Sequence, residues 1–249
     1  MKPLTRYGRG NIIHDPERMR RCREDINGQS EKWRRATQKA MQNRMRTYVY
    51  VDGFNLYYGA LKGTRYKWLD IDALVRLILP KNNIQRIKYF TAIVNARPND
   101  PDQPNRQQAF LRALRTYSHV EVILGQFLVN ECYMPEAGYQ PPRFVKVLKT
   151  EEKGSDVNIA AHLLMDGFKG LYDVAVLVTN DSDLREPVRM VTQELGLKVG
   201  ILNPHKKASR MLNQYATFTR TIRKAALRKC QFPSTLQDAM GVITKPASW

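Results

Sequence analysis

One short stretch of the chain, Thr47 to Tyr57, joins a strand pattern, an acidic turn and the start of a helix. Tyr48 to Asp52 alternates bulky and β-branched residues, which predicts a strand that ends at an aspartate. A glycine, a phenylalanine and Asn55 follow before a helical run begins at Leu56. In open parallel sheets, ligands bind outside the carboxyl ends of the strands, so Asp52 stands where a functional side chain is expected.

Two later stretches carry acids at comparable points of predicted elements. Lys153 to Asp156 reads K-G-S-D and opens a predicted helix, Ser155 to Phe168. The continuous apolar run Val174 to Val178 predicts a central parallel strand, and T-N-D-S-D follows it from Thr179 to Asp183. These acids are expected to face one crevice if the first strand and the Val174–Val178 strand are neighbours in the sheet.

Strands alternate with helices over roughly residues 47–225, which predicts one three-layer α/β domain with a mostly parallel central sheet. Residues 226–249 are expected to form a basic, loosely ordered C-terminal tail. Phe144 to Leu148 is either an extra strand or a loop edge, and Phe218 to Ile222 is a candidate edge strand. Five main strands are predicted, in chain order Tyr48–Asp52, Ile84–Val94, Val120–Phe127, Val174–Val178 and Lys198–Leu202.

Residues 1–46 form a basic extension with 13 Lys or Arg against 5 Asp or Glu, a net charge of +8. Three interpretations remain open: an arm that follows phosphates, a partly disordered or helical tail without a special role, or a true start at Met41 or Met45. The whole chain carries a net charge of +18, which makes nucleic acid the first partner to consider and a membrane surface the second. Whether the chain forms a homo-oligomer is left open.

The composition limits which cellular compartments and which kinds of site are expected. No apolar run is long enough to span a bilayer, and the N-terminus lacks the apolar segment of a signal peptide. The three cysteines, Cys22, Cys132 and Cys230, are too far apart in the chain for a zinc pair, and their odd number argues against a disulfide framework. A soluble cytoplasmic protein that does not bind membranes is therefore expected.

Asp52, Asp156, Asp181 and Asp183 are the candidate metal ligands and catalytic acids. Two like charges 4 Å apart repel by about 4 kcal/mol at an effective dielectric near 20, so such a cluster is hard to keep without a cation. Oxygen ligands without His or Cys select Mg²⁺ or Mn²⁺. Each acid taken singly also has a structural interpretation, because Asp is a common helix cap or first-turn residue.

Four further groups of residues have roles that the sequence leaves open. Asn55 is a candidate for orienting water or phosphate at the site, or it caps its helix. Lys153 either contacts a phosphate or pairs with a carboxylate. Arg185 contacts nucleic acid or lies on a solvated helix face. The tyrosines Tyr57, Tyr58 and Tyr139 are candidates for stacking on bases, with ordinary packing as the alternative.

At these motifs the chain resembles the NYN domain family, a branch of the PIN-like ribonuclease superfamily. V-D-G-F-N at Val51 to Asn55 resembles its first motif, K-G-S-D its central K-G-x-D, and T-N-D-S-D its S-G-D-S-D-F. Thr179, Asn180 and Leu184 depart from the last pattern but leave every carboxylate in place. The resemblance implies a PIN-like sheet with strand order 3-2-1-4-5, and the four aspartates as metal ligands supported by Asn55.

The resemblance also implies a metal-dependent endoribonuclease that acts on RNA, with single strands as the expected substrate. Two other functions are considered beside it. One is an RNA-binding or assembly module of the same fold without catalysis. The other is a nuclease that acts mainly on DNA, or a small-molecule phosphodiesterase.

Overall fold

The computed structural model describes residues 45–249, and the predicted basic extension lies outside them except for its last two residues. Ten strands are formed in this part of the chain. Six of them make one sheet and the other four make two antiparallel hairpins. The strands are β1 Arg46–Asp52, β2 Asn83–Thr91, β3 Val120–Leu124, β4 Gln126–Pro135, β5 Phe144–Lys153, β6 Val174–Val178, β7 Lys198–Asn203, β8 Phe218–Thr221, β9 Thr235–Asp238 and β10 Gly241–Thr244.

Seven α-helices connect or flank these strands in the described part of the chain, and several of them begin or end in tighter or wider turns. α1 continues into a π-helical turn at Tyr57–Leu61, while α5 is preceded by a 3₁₀ turn at Ser182–Leu184 and continues into a π-helical turn at Met190–Glu194. The helices are α1 Gly53–Leu56, α2 Ile71–Ile78, α3 Gln103–Arg115, α4 Ser155–Phe168, α5 Arg185–Arg189, α6 Arg210–Asn213 and α7 Lys224–Lys229.

The six-stranded sheet is parallel throughout, in the order β3-β2-β1-β6-β7-β8. The predicted fourth and fifth strands correspond to β6 and β7, so the order from β3 to β7 is the predicted order 3-2-1-4-5. Strand β8 extends the sheet at the edge. Strand β1 lies beside β6, with Val51 opposite Val178. The acidic ends of the two strands are therefore neighbours, as the fold prediction required.

Alternation along the central strands divides the interior into two cores, one on each face of the sheet. Val49 and Val51 of β1 pack in the first core, while Tyr50 between them packs in the second. In β6, Val176 likewise belongs to the first core and Leu177 to the second. Because both faces are covered, the architecture is the predicted three-layer α/β arrangement.

Two segments differ from their sequence predictions. The predicted strand Val120–Phe127 is divided, because the chain leaves the sheet after β3 and forms the hairpin of β4 and β5. The predicted loop Cys132–Pro142 accordingly begins as strand, and Phe144 opens a full partner strand. We call this two-stranded element, β4 and β5, the hairpin arm.

The C-terminal segment is ordered and belongs to the domain, which corrects the expected loose tail at 226–249. Leu227, Phe232 and Ile243 are buried in the first core, and β9 pairs with β10. The backbone carbonyl of Cys230 accepts from the N–H of Asp70 at 3.0 Å. The sequence did not predict this packing, because the hydrophobic periodicity of the segment is weak. Its few apolar residues contact elements that are far away in the chain.

No helix among residues 45–249 is long and apolar enough to cross a membrane.

Candidate metal centre

Three of the predicted acids converge at the carboxyl edge of the sheet. Asp52 ends β1, Asp181 follows β6, and Asp156 lies in the first turn of α4. One carboxylate oxygen of each lies within 4.8 Å of one from each of the others. Asp52 is buried, whereas Asp156 and Asp181 are half-buried and accessible from solvent.

Local backbone geometry explains why Asp52 stands at this point. Gly53 lies so close to β2 that a Cβ atom there would approach the carbonyl oxygen of Phe90 to 2.7 Å and the ring of Tyr89 to 2.8 Å. Only glycine fits this contact, and it lets β1 turn into α1 directly after the acid. The Asp52 Oδ1 atom then accepts from the N–H of Asn55 at 2.9 Å and caps α1.

A threonine hydroxyl joins two of the acids. Thr179 donates from Oγ1 to Oδ2 of Asp52 at 3.1 Å, and the Thr179 Oγ1 atom itself accepts from the N–H of Asp181 at 3.1 Å. Asp181 in turn accepts from the N–H of Asp183 at 3.0 Å and caps the 3₁₀ turn. Asp52 and Asp181 therefore cap their helical turns and also belong to the acidic cluster. Both roles are possible because each carboxylate has two oxygens.

The junction before α4 places Asp156. Gly154 has a φ of +99°, a left-handed conformation that glycine adopts without strain and that redirects the chain from β5 into the helix. Glu152 accepts from the N–H of Ser155 at 3.1 Å across the same junction. The K-G-S-D motif is therefore the turn that brings the start of α4 to the sheet edge.

The cluster is electrostatically strained without a cation. The pKa of Asp156 is raised to about 6, by burial first and then by the charges of Asp52, Asp181, Glu152 and Asp183 in that order. Burial also raises the pKa of Asp52, although hydrogen bonds from Asn55 and Thr179 oppose the shift. A positive ion between the three carboxylates would relieve both effects.

The donor set fits a hard divalent cation. All three converging groups are carboxylates, and none of the described histidines or cysteines belongs to the group. Oxygen ligands of this kind suit Mg²⁺ or Mn²⁺. The identity of the ion stays a prediction.

The other predicted site residues lie outside the cluster of three. Asp183 is exposed and does not share the 4.8 Å group, although its charge still acts on Asp156. Lys153 is exposed and forms an ion pair with Glu151 at 3.4 Å. Of the two roles that the sequence left open for Lys153, this structure therefore has the pairing with a carboxylate. Arg185 packs its guanidinium over the ring of Tyr215, with 5.4 Å between the guanidinium carbon and the ring centroid.

Asn55 acts as a bridge between loops in this structure. Its Oδ1 accepts from the N–H of Asn180 at 2.9 Å and lies 3.0 Å from Nε2 of His205. Asn180 also accepts from the N–H of Ser209 at 2.7 Å. Asn55 therefore ties α1 to the loops after β6 and β7, which holds the end of β6 beside Asp52.

Sequence reasoning missed Glu152 and His205. Glu152 carries a charge that acts on both Asp52 and Asp156. Its position directly before K-G-S-D was a usable signal, since the next residues form the tight turn. His205 gave no local signal, because its contact with Asn55 spans 150 residues of sequence.

The fold and the site define a parallel α/β protein of PIN-like type with an acidic cluster at the strand ends. The family model described as "NYN domain" matches residues 46–222, and the chain belongs to this family.

The chain is also similar to two other proteins. The chain is 32% identical over 236 residues to a Pseudomonas putida protein named 6-hydroxy-3-succinoylpyridine 3-monooxygenase HspA, covering 82% of this chain and 75% of that protein. The fold is also similar to a crystal structure of a protein of unknown function from Vibrio parahaemolyticus, with a TM-score of 0.50 and 20% identity. That alignment covers 73% of this chain and 94% of the Vibrio chain.

Proposed function

We propose that this protein is a metal-dependent endoribonuclease that hydrolyses phosphodiester bonds of single-stranded RNA. The observation that carries the proposal is the convergence of Asp52, Asp156 and Asp181 at the carboxyl edge of the sheet. Membership in the NYN family, with its PIN-like nuclease fold, supports the same reaction class. The net charge of +18 favours a polyanionic substrate.

In this proposal, different residues bind the metal ion and orient its ligands. The three carboxylates would hold Mg²⁺ or Mn²⁺, while Thr179 and the N–H of Asn55 fix the orientation of Asp52. When bound, such an ion supplies Lewis-acid activation of water and of the scissile phosphate. Hydrolysis then adds one water across a P–O bond and yields one phosphate monoester and one hydroxyl end.

Substrate capture is proposed to rely on basic surface rather than on base-specific contacts. Lys153 and Arg185 remain candidate phosphate contacts, each after leaving its present partner. Binding that is dominated by phosphate contacts weakens steeply as salt rises, because counterions are released on binding. A shallow salt dependence of RNA affinity would argue for a different mode of recognition.

The test is cleavage of a labelled single-stranded RNA by the purified protein with Mg²⁺ or Mn²⁺, beside an EDTA control. Asp52→Asn and Asp181→Asn should each reduce the cleavage rate at least a hundredfold, since each removes a charged ligand. Asp102→Asn, at an exposed aspartate before α3, is the matched control and should cleave like the parent. Full cleavage by both cluster variants would overturn the assignment.

The same assay separates the alternatives from the proposal. Equal turnover of DNA, or turnover of a nitrophenyl phosphodiester alone, would replace RNA as the substrate class. RNA retention in a gel shift without cleavage under any metal would favour a binding or assembly module. We propose a cytoplasmic location for the activity, in keeping with the cysteine content.

A second candidate function is oxidation of a small heteroaromatic compound, which the printed name of the Pseudomonas relative favours. An aromatic-lined cavity beside the cluster is compatible with such a substrate. The sequence has no G-x-G-x-x-G dinucleotide fingerprint. Incubation with 6-hydroxy-3-succinoylpyridine, O₂ and a reduced nicotinamide or flavin, followed by mass spectrometry, tests it directly.

A further inference from the structure

A cavity of about 620 Å³ lies beside the candidate metal centre, a size typical of sites for small organic ligands. It is bounded by α1, the start of α3, the loop after β2 and the base of the hairpin arm. Six aromatic side chains line it, and the C-terminal Trp249 joins them. The six are Phe54, Tyr57, Tyr58, Tyr89, Phe110 and Phe127.

Four of these rings form two edge-to-face pairs. Phe54 and Phe127 have their centroids 5.5 Å apart at an interplanar angle of 77°, and Tyr57 and Tyr58 are 5.3 Å apart at 82°. Tyr58 is 54% exposed although it lines the cavity. An exposed aromatic ring beside others is a surface on which a planar ring can stack.

One side of the cavity is next to the acidic cluster, although the three clustered aspartates do not themselves line it. Gly53, the neighbour of Asp52, lines the cavity together with Glu152. The charge of Glu152 contributes to the raised pKa of both Asp52 and Asp156, which places it next to the cluster. A molecule in the cavity therefore lies near the proposed metal ligands.

Polar groups on the wall complement a heterocycle that carries an anionic group. The side-chain amides of Asn95 and Gln103 line the cavity and can donate to or accept from ring heteroatoms. Lys67 and Arg97 also line it, and neither forms an ion pair among residues 45–249. Arg106, by contrast, is held by Asp100 at 2.5 Å.

We propose that this cavity binds one planar heteroaromatic ring with an attached anionic group and holds it beside the acidic cluster. A nucleotide within a strand and a free heterocyclic acid share this chemistry. Stacking on Tyr57, Tyr58 and Phe54 holds the ring, and Lys67 and Arg97 attract the anion. The inference goes beyond the proposed function, because ring binding needs neither a divalent cation nor cleavage.

The experiment is calorimetric titration of the full chain without divalent cations, with tryptophan fluorescence as a second readout. The probes are 5′-UMP, 5′-AMP and 6-hydroxynicotinate, and ribose 5-phosphate is the control that has the anion without the ring. Binding of at least one ring probe, with little or none of ribose 5-phosphate, is expected. Binding of the nucleotides alone would indicate that the cavity takes a base of a nucleic-acid strand. Binding of 6-hydroxynicotinate alone would indicate a free heterocyclic acid, and binding of both would indicate that the cavity accepts the ring class that they share.

Three variants locate the binding. Tyr58→Ala should weaken it about tenfold, because loss of one stacking surface has an effect of this order. Ala96→Trp fills the cavity from an exposed position and should abolish binding, whereas Tyr133→Ala, at a 69% exposed tyrosine away from the cavity, should not change it. Failure of all ring probes to bind, or equal binding by Ala96→Trp, would overturn the proposal.

The Asp52→Asn variant separates this proposal from the nuclease. Ring binding that persists in this variant while RNA cleavage is lost supports both inferences independently. Cleavage by the parent protein without any ring binding would leave the nuclease standing and refute the ring site.

Discussion

The two carboxylate oxygens of Asp52 have different partners, and this division is the basis of the site. Oδ1 caps α1 through Asn55, while Oδ2 accepts from Thr179. The hydrogen bonds hold a buried carboxylate in one orientation, which a ligand of a fixed ion requires. Thr179 therefore acts as a positioning residue, through Asp52 and through the backbone of Asp181.

Replacement of the Thr179 hydroxyl should weaken the site without removing any carboxylate. Thr179→Val is expected to reduce Mn²⁺ affinity about tenfold to a hundredfold, the usual effect of losing a partner of a metal ligand. Thr179→Ser keeps the hydroxyl and should retain most of the affinity. Calorimetric Mn²⁺ titration of the three proteins measures this, and a serine variant as weak as the valine variant would contradict it.

The pKa of Asp156 predicts how ion binding depends on pH. This carboxyl has a raised pKa of about 6, so it is protonated below that pH and cannot act as an anionic ligand. Mn²⁺ affinity should therefore fall by up to about tenfold for each pH unit below 6, and level off above it. Titrations from pH 5 to 7.5 test this, and affinity that stays constant across the range would refute it.

Asp183 offers a direct contrast with the cluster of three. Because its carboxylate is exposed and outside the shared group, Asp183→Asn should reduce cleavage less than tenfold, while Asp156→Asn should reduce it at least a hundredfold. The comparison of initial rates at saturating Mn²⁺ decides between three and four ligands. Equal losses in the two variants would restore Asp183 as a full ligand.

At the scale of elements, α4 is held on the sheet by a buried polar group of residues. Lys88 of β2 forms an ion pair with Asp166 of α4 at 2.6 Å, and Tyr50 of β1 donates to the same carboxylate at 2.8 Å. Nδ1 of His162, whose pKa is lowered by burial and by Lys88, lies 2.9 Å from the Lys88 ammonium. These contacts anchor the helix that carries Asp156 at its other end.

Removal of one charged partner from this buried group should lower the free energy of unfolding more than removal of both charges. Lys88→Met leaves the Asp166 carboxylate buried without its cation and is expected to lower the free energy of unfolding by about 3 kcal/mol. Lys88→Met with Asp166→Asn removes the charge and keeps an acceptor for Tyr50, so the loss should be smaller. Urea denaturation measures both, and a double variant less stable than the single one would contradict the explanation.

At the scale of the whole molecule, the C-terminal segment completes the first core. Phe232 packs against Trp68 at 5.8 Å between ring centroids and against Tyr117 at 6.1 Å. Arg112 of α3 pairs with Asp238 of β9 at 2.7 Å and joins the last hairpin to the body of the domain. The family match ends at residue 222, but residues after it also pack into the first core.

Truncation of Phe232 tests whether the segment contributes to stability. Phe232 is 5% exposed, so Phe232→Ala should lower the free energy of unfolding by about 3 to 5 kcal/mol through lost burial and a cavity. Met240→Ala, at a side chain that is 75% exposed, should change it by less than about 0.5 kcal/mol. Similar stability of the two variants would show that the segment is dispensable.

The amino-acid sequence by itself determined the parallel α/β class, the strand order through the family resemblance, and the candidate acids. Strand and helix periodicity are local properties, and the motifs at Asp52, Asp156 and Asp181 stand at the ends of such local elements. These features are readable because they depend on residues a few positions apart.

Only the tertiary structure decided which side chains share a site. It placed Glu152 beside the cluster and Asp183 outside the shared group, buried Phe232 in the core, and enclosed the aromatic cavity between four separate elements. Each of these depends on contacts between residues that are distant in the chain. Such contacts follow from the packing of whole elements, which local patterns of hydrophobicity and charge do not specify.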